Sequence, residues 1–323
     1  MKITVIVPTY RRPKHLHNCL TGLKQQIRLA DEILLTVRDS DRLTWEFLSS
    51  FDAELLPIKT LTVKVTGVVA AMNLGLETAE GDLVCFIDDD AVPRRDWLTK
   101  IEAHFLADPQ LVGLGGRDCM YLGEEKLVVD YKPVVGKLQW FGRMIANHHS
   151  GMGKPREVDF LKGVNMSYRR KAIENMSFDR RMKGTGAQVH FEVSFGLSLK
   201  RAGCKLLYDP QVVVDHYLAE RFDEDIRDCF NATAFFNEVH NETLAIVEHF
   251  SPPKRILFMV WAMLIGTRKA FGLVQLLRFI PQEGKLAFDK WSISIQGRKA
   301  GWLSWRRSDR SKLLNNSSTG TRQ

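Results

Sequence analysis

A chain of 323 residues with 45% hydrophobic and 26% charged content suits one large folded domain plus an appendage, and excludes a disordered or fibrous class. Its five cysteines (Cys19, Cys85, Cys119, Cys204, Cys229) are odd in number and form no Cys-x-x-Cys pair, which argues against a disulfide framework or cysteine zinc site and fits a reducing, cytoplasmic compartment. The net charge of +8 is uneven: residues 251–323 carry 14 Lys or Arg against 3 Asp or Glu, or +11, and the first 250 residues carry 32 against 35, or −3.

In chain order, residues 3–7 form a first strand, stopped by Pro8 and too short for a signal peptide. Residues 13–26 read as a helix with Pro13 in its first turn and Leu16, Leu20, Leu23 and Ile27 at helical spacing. A second strand over 32–37 leads into Arg38-Asp39-Ser40-Asp41, and 45–51 fits a short helix. The alternating third strand, 61–65, belongs near a sheet edge. A helix over 68–79 follows, with Gly81 as its capping glycine. Residues 83–87 are uniformly apolar, as in a strand buried on both faces, and end in Asp88-Asp89-Asp90. Pro93 and Asp96 open a helix to about 106, and 111–116 is another strand. This alternation predicts an α/β fold: a Rossmann-like, mostly parallel central sheet with helices on both faces. No G-x-G-x-x-G follows the first strand, where Pro8-Thr9-Tyr10 stands instead, and no P-loop motif occurs.

The middle is less regular. A strand is expected around 127–129, then a loop over 147–153 whose His148-His149 read either as metal ligands or as exposed loop. A helix over 188–202 carries Glu192 early and is capped by Gly203. A strand over 205–214, interrupted at Asp209-Pro210, ends in Asp215-His216.

Three adjacent carboxylates at the end of a buried strand repel one another and need an offsetting charge. One reading is an Asp-x-Asp site in which Asp88 and Asp90 hold a divalent cation and a diphosphate, at the strand ends where open α/β sheets bind ligands. The other is a solvated acidic turn before a helix. His216 stands between two readings in the same way, a further metal ligand or a surface histidine.

Several blocks, in order, resemble the large family of inverting, nucleotide-sugar-dependent glycosyltransferases with the GT-A fold. They are Ile6-Val7-Pro8-Thr9-Tyr10-Arg11-Arg12, Ala71-Met72-Asn73 through Gly81-Asp82, Phe86-Ile87-Asp88-Asp89-Asp90, Gly163-Val164-Asn165 through Arg170, and Glu192 through Gly203 followed by Tyr208-Asp209-Pro210 and His216. The resemblance covers roughly residues 3–216. It implies Pro8, Thr9, Tyr10, Arg12, Asn73, Asp88 and Asp89 as donor-binding positions. Asp39 or Asp41 accepts from the nucleotide base, with Asp39 favoured. Asp90, Asp88 and His216 become the ligands of Mn2+ or Mg2+, and Gly163 and Asn165 face the acceptor. Glu192 becomes the general base, where the family usually has an aspartate after a glutamate and this chain reads Phe191-Glu192. Asp159 and Asp179 are the reserve candidates. A UDP-sugar donor and a glycan or lipid-linked acceptor of cell-envelope or polysaccharide synthesis follow from the same resemblance.

Two rivals are a sugar nucleotidyltransferase, which would usually show a Gly-rich basic loop after the first strand, and a non-catalytic carbohydrate-binding relative, against which the carboxylates at 39, 88, 90 and 192 argue. The expected organisation is a catalytic domain over 1–220, with the donor bound by residues 1–116 and the acceptor by residues 117–220. A helical, partly amphipathic basic extension over 221–314 and a disordered tail over 315–323 follow it. In the extension, the apolar runs 256–266 and 270–280 are each too short to span a bilayer, and Arg268 and Lys269 between them suit segments lying in the headgroup plane of an anionic membrane. The alternative is a helical hairpin packed on the catalytic domain. No nucleic-acid motif accompanies the basic residues.

Overall fold

The structure, a computed structural model, describes residues 1–53, 56–222 and 230–319. The chain divides into two compact units. The first comprises Met1–Leu138, Met144–Phe178 and Phe195–Arg221; the second comprises Gln139–Arg143, Asp179–Ser194 and Phe222–Gln323. The chain passes from the first unit to the second for the last time after Arg221, and the segments 139–143 and 179–194 group with the second unit.

The first unit alternates strand and helix: β1 (Ile3–Thr9), α1 (Pro13–Lys24), β2 (Glu32–Arg38), α2 (Arg42–Ser50), β3 (Ile58–Val63), α3 (Val68–Thr78), β4 (Leu83–Ile87), β5 (Ala91–Pro93), α4 (Trp97–Ala107) and β6 (Leu111–Leu122). Short pieces follow, β7 (Glu125–Lys126), β8 (Lys137–Leu138), β9 (Met144–Ile145) and β10 (Arg156–Glu157). Then come β11 (Asn165–Arg169), α5 (Arg170–Ile173), α6 (Phe191–Arg201), whose first turn lies in the second unit, and β12 (Lys205–Tyr217). The sheet order is β10-β12-β6-β11-β4-β1-β2-β3, with β5 on β12 and β7 on β6. Strands β4, β1, β2 and β3 are parallel, β11 is antiparallel between β4 and β6, and β12 runs parallel to β6. All five residues of β4 are buried, as the apolar run required, and β3 takes the edge that its alternation indicated.

Several local expectations change. Helix α2 begins at Arg42 because Asp41 caps it, accepting from Thr44 N at 3.1 Å. Gly81 does not end α3, whose cap is Ala79. Its lack of a side chain serves close packing, since a Cβ there would lie 2.6 Å from Thr4 N. The strand expected at 127–129 is absent; only Glu125–Lys126 pair, with Leu122 and Tyr121. Helix α6 starts at Phe191, since Gln188 and His190 take left-handed backbone angles (φ 42° and 75°) that a helix does not allow. Gly203 follows it at φ 79°, as expected of a capping glycine.

In the second unit, α7 (Ala232–His249), α8 (Pro252–Leu264), α9 (Leu273–Glu283) and α10 (Lys285–Thr319) form a helical assembly. Polar ties join α7 to α10: the fully buried Arg298 donates to Thr243 Oγ1 at 3.0 Å and pairs with Glu242, and His240 Nε2 meets Ser304 Oγ at 2.8 Å. Helix α10 takes in residues 315–319, expected as part of a disordered tail; residues 320–323, the rest of that tail, lie outside the described residues, as does Cys229. Among the described residues no helix is long and apolar enough to cross a membrane.

Candidate active site

The site lies in the first unit, where β4 ends. Asp88 turns the chain, its backbone oxygen accepting from Ala91 N at 3.1 Å, and β5 then pairs antiparallel with β12. That pairing sets His216 opposite Ala91, and Tyr217 N donates to the Asp90 backbone oxygen at 2.8 Å. The last turn of the metal-type motif and the end of the last strand thus become neighbours although 126 positions separate Asp90 from His216.

Asp88, Asp90 and His216 offer ligand atoms that all lie within 4.8 Å of one another. Asp89 and Asp90 are almost fully buried, which removes the solvated-turn reading, and His216 at 7% exposure is not a surface histidine. Burial pushes the Asp88 carboxyl up to about 7, with the charges of Asp90 and Asp89 adding and those of His216 and Arg12 opposing. Asp89 is also raised, by burial first, with Arg12 opposing. Burial alone would lower His216, but Asp118 and Asp90 outweigh it and hold the imidazole up at about 9.

One cation from the turn after β1 partly offsets this charge. Arg12 Nη1 lies 2.9 Å from Asp89 Oδ1 and 3.3 Å from Asp90 Oδ2. Arg11 makes the reach possible with a left-handed φ of 57°, its N–H held by Asp41 Oδ2 at 2.6 Å. Asp41 thus has two structural duties, the α2 cap and this turn, whereas Asp39 is exposed at the end of β2. Tyr10 carries the Arg38 guanidinium 4.6 Å from its ring centroid. Thr9 is buried at the end of β1, while Pro8 is half-buried.

A second arrangement was not foreseen. His216 Nδ1 lies 3.4 Å from Asp118 Oδ2, its Nε2 lies 3.4 Å from Asp90 Oδ1, and Lys162 Nζ closes on the same Asp118 oxygen. Burial would raise the fully buried Asp118, but the Lys162 ammonium and the imidazole hold it well below the ordinary carboxylate range. The sequence signal was a carboxylate inside a sheet strand, since buried charges are paired or coordinate metals. Gly116, two residues earlier, lets β12 come close: a Cβ there would sit 1.7 Å from Val212 O.

The remaining expected positions are placed as follows. Asn73 is buried with its amide clamped on the Phe178 backbone, donating to Phe178 O at 3.0 Å and accepting from Phe178 N at 2.8 Å. Asn165 accepts from Trp97 Nε1 at 2.9 Å and donates to Val212 O at 3.0 Å, and Gly163 is buried just before it. Glu192 lies in the first turn of α6, in the second unit. His148 is neither exposed nor part of the carboxylate cluster. It is buried against Phe160 and Tyr208, its Nε2 3.2 Å from Phe160 O, and burial lowers it to about 4.

Two carboxylates and one imidazole form a donor set that fits Mn2+ or Mg2+, and burial first, with Asp90 and Asp89 adding to it, keeps Asp88 raised despite His216 and Arg12. A mostly parallel sheet with this acidic cluster at a strand end defines a glycosyltransferase of the GT-A type. Residues 4–177 match glycosyl transferase family 2, and the chain belongs to that family. It is 25% identical over 217 residues to the pre-mycofactocin glycosyltransferase of Mycobacterium tuberculosis, covering 66% of this chain and 42% of that protein. The chain thus spans less than half the length of that relative. Among solved structures, S. aureus TarS 1-349 in complex with UDP-GlcNAc aligns at a TM-score of 0.57 with 16% identity, covering 95% of this chain and 92% of that one. The mannosyltransferase PcManGT from Pyrobaculum calidifontis, in complex with GDP-Man and Mn2+, aligns at 0.52 with 14% identity, covering 98% and 79%.

Proposed function

We propose that this glycosyltransferase is metal-dependent and inverting. It moves a sugar from a nucleoside diphosphate sugar, a UDP-sugar in the first instance, to a hydroxyl of a glycan or lipid-linked acceptor in cell-envelope or polysaccharide synthesis. Its place is the cytoplasmic face of the cell membrane, with the basic tail toward anionic lipid. The observation that carries the reading is the convergence of Asp88, Asp90 and His216 at the end of β4.

A divalent cation held there supplies positive charge where the departing diphosphate gains negative charge. The chain's own residues do the rest. Arg12 holds Asp89 and Asp90 in place. Asp39 accepts hydrogen bonds from the nucleotide base, in preference to Asp41, which is engaged in capping α2 and fixing Arg11. Pro8, Thr9 and Tyr10 form the wall of the donor site. The segment containing Gly163 and Asn165 borders the acceptor. Glu192 takes the proton of the attacking hydroxyl, a role that rests on the resemblance of the Phe191-Glu192 block. One direct displacement inverts the anomeric carbon.

The test is calorimetry with UDP-, GDP- and dTDP-sugars in Mn2+ and in EDTA, followed by NMR of the product anomer with a lipid-linked acceptor set. One donor class should bind in Mn2+ only, and the product should carry the opposite anomeric configuration. Retention of configuration, or turnover of a nucleoside triphosphate with a sugar phosphate instead, would overturn the reading.

A further inference from the structure

The second unit presents an unusual surface. Helix α8 buries Phe258 and Ala262, Trp261 of the same helix meets Phe141 edge-on at 5.1 Å, and the Arg298 guanidinium lies 5.3 Å from the Phe258 ring. Its inner face is therefore covered by the chain itself. Ile256, Val260 and Leu264, spaced i, i+4, i+8, are 62%, 46% and 52% exposed. Helix α9 also exposes large apolar side chains. Leu276 is buried in a cluster with Phe271 and Ala287, while Leu273, Leu277 and Ile280 stand exposed at i, i+4, i+7. Helix α8 thus has an apolar inner face that is satisfied and an exposed apolar outer face, and α9 exposes apolar side chains flanking its one buried leucine. Rows of large apolar side chains exposed at helical spacing mark an interaction face more often than a bare surface.

The charges around them select the partner. Lys254, Arg268, Lys269, Arg278 and Lys285 are exposed in the same stretch. The acidic residues of 251–308 are Glu283 and Asp289, both half-buried, and Glu283 is paired with Lys290 at 2.7 Å. Among the described residues of this stretch no carboxylate is exposed. A second copy of the chain would bring the same cations against these, which is repulsive. An anionic bilayer offers the complement to both features, acyl chains for the leucines and isoleucines and phosphates for the lysines and arginines. At 13 and 11 residues, about 20 Å and 17 Å long at 1.5 Å per residue, α8 and α9 are too short to cross a hydrocarbon core of ~30 Å.

We infer that the outer faces of α8 and α9 dock this enzyme on an anionic membrane, lying in the headgroup plane with Ile256, Val260, Leu264, Leu273, Leu277 and Ile280 in the acyl boundary. The inference rests on the membrane placement given above and not on the sugar-transfer chemistry, so vesicle binding and donor turnover fail or succeed separately.

The experiment is co-sedimentation of the full-length chain with vesicles of phosphatidylcholine alone and with 30% phosphatidylglycerol, at roughly 0.05 and 0.5 M salt, where screening differs severalfold. Binding should need phosphatidylglycerol and weaken in high salt. Val260→Ser with Leu277→Ser, which removes apolar area from the acyl boundary, and separately Arg268→Glu with Lys269→Glu, which reverses charge at the anionic surface, should each lower the partition coefficient at least about tenfold. All four positions are exposed, and circular dichroism checks that the variants remain folded. No partition into phosphatidylglycerol vesicles at low salt overturns the inference. So does a solution dimer that the Ser pair splits into monomers, because the face would then belong to a second copy.

Discussion

Replacing Asp118 by Asn is the most informative single change in the site. Asn keeps the shape of the fully buried side chain but removes the charge that faces Lys162 and the His216 imidazole. Removing one partner of a buried ion pair costs about 3–5 kcal/mol. Lys162 is 30% exposed and can turn toward water, so the lower end, about 3 kcal/mol, is the expected loss of stability. The second effect is on metal. The oxygen of Asp118 that faces His216 Nδ1 biases the ring to keep its proton there, so that when a cation displaces the Nε2 proton the nitrogen freed is the one facing Asp90 and the cluster. With Asn there the ring loses that bias and its negative neighbour, and Mn2+ affinity should fall about 10–100-fold, the usual scale for such supporting carboxylates. Titration calorimetry and the Mn2+ electron paramagnetic resonance signal read affinity directly, and urea denaturation reads stability. Lys162→Met separates the two effects, since it leaves Asp118 on the imidazole and should weaken Mn2+ binding less than Asp118→Asn does. A folded Asp118→Asn protein that binds Mn2+ as tightly as the parent would refute the reasoning, and His216 would then be an ion-pair residue alone.

Asp90→Ala should abolish Mn2+ binding and sugar transfer, and EDTA should suppress transfer reversibly; activity of the variant in EDTA would remove the metal assignment. Glu192→Gln keeps the side-chain shape but not the proton acceptor, so turnover should drop about 100-fold or more with donor affinity near normal; unchanged turnover would pass the role to Asp159 or Asp179. For His148 the folded value of about 4 lies below the ordinary 6.5, so the unfolded chain binds more protons between those limits and stability falls as pH drops from 6.5 to 4. The difference amounts to about 3 kcal/mol at 1.36 kcal/mol per pH unit. His148→Phe should lose about 1 kcal/mol at pH 7 with its bond to Phe160 O, yet show a smaller further loss at pH 4.5, as read by denaturant titration at both pH values.

The fold was legible where one local rule governed a whole element. Leu83–Ile87 is apolar throughout and became a strand buried on both faces, and the alternation near 61–65 placed β3 at an edge. It was illegible where tertiary pairing set the local structure. Ala91–Pro93 has no strand pattern of its own and is a strand because Val214, Asp215 and His216 line up against it. Helix α6 starts late because Gln188 and His190 adopt left-handed angles, which periodicity does not reveal. The candidate site divides in the same way. Asp88 and Asp90 stand two apart on one strand end and could be read directly. Asp118 reaches His216 across 98 positions through the β6–β12 pairing, and Lys162 across 44, from the turn just before β11, which pairs with β6 on its other side.

Asn73 and Asn165 show what a sequence pattern can encode besides ligand contact. Each uses both its oxygen and its nitrogen inside the first unit. Asn73 grips the backbone of Phe178, whose ring packs edge-on at 5.4 Å against Phe86 of β4. Asn165 pairs with Ile87 across β4–β11, takes the Trp97 indole of α4, and holds Val212 of β12. The two amides therefore brace β4 on its flanks in the two residues before Asp88. Three mutually repelling carboxylates at a strand end need such bracing, because a strand free to fray would move them apart toward solvent. The same logic covers Arg12, which ties Asp89 and Asp90 from the β1 side, and the β5–β12 pairing, which ties Asp90 through its backbone. Much of the chemistry in the matching blocks thus keeps the acidic groups close together at the end of β4.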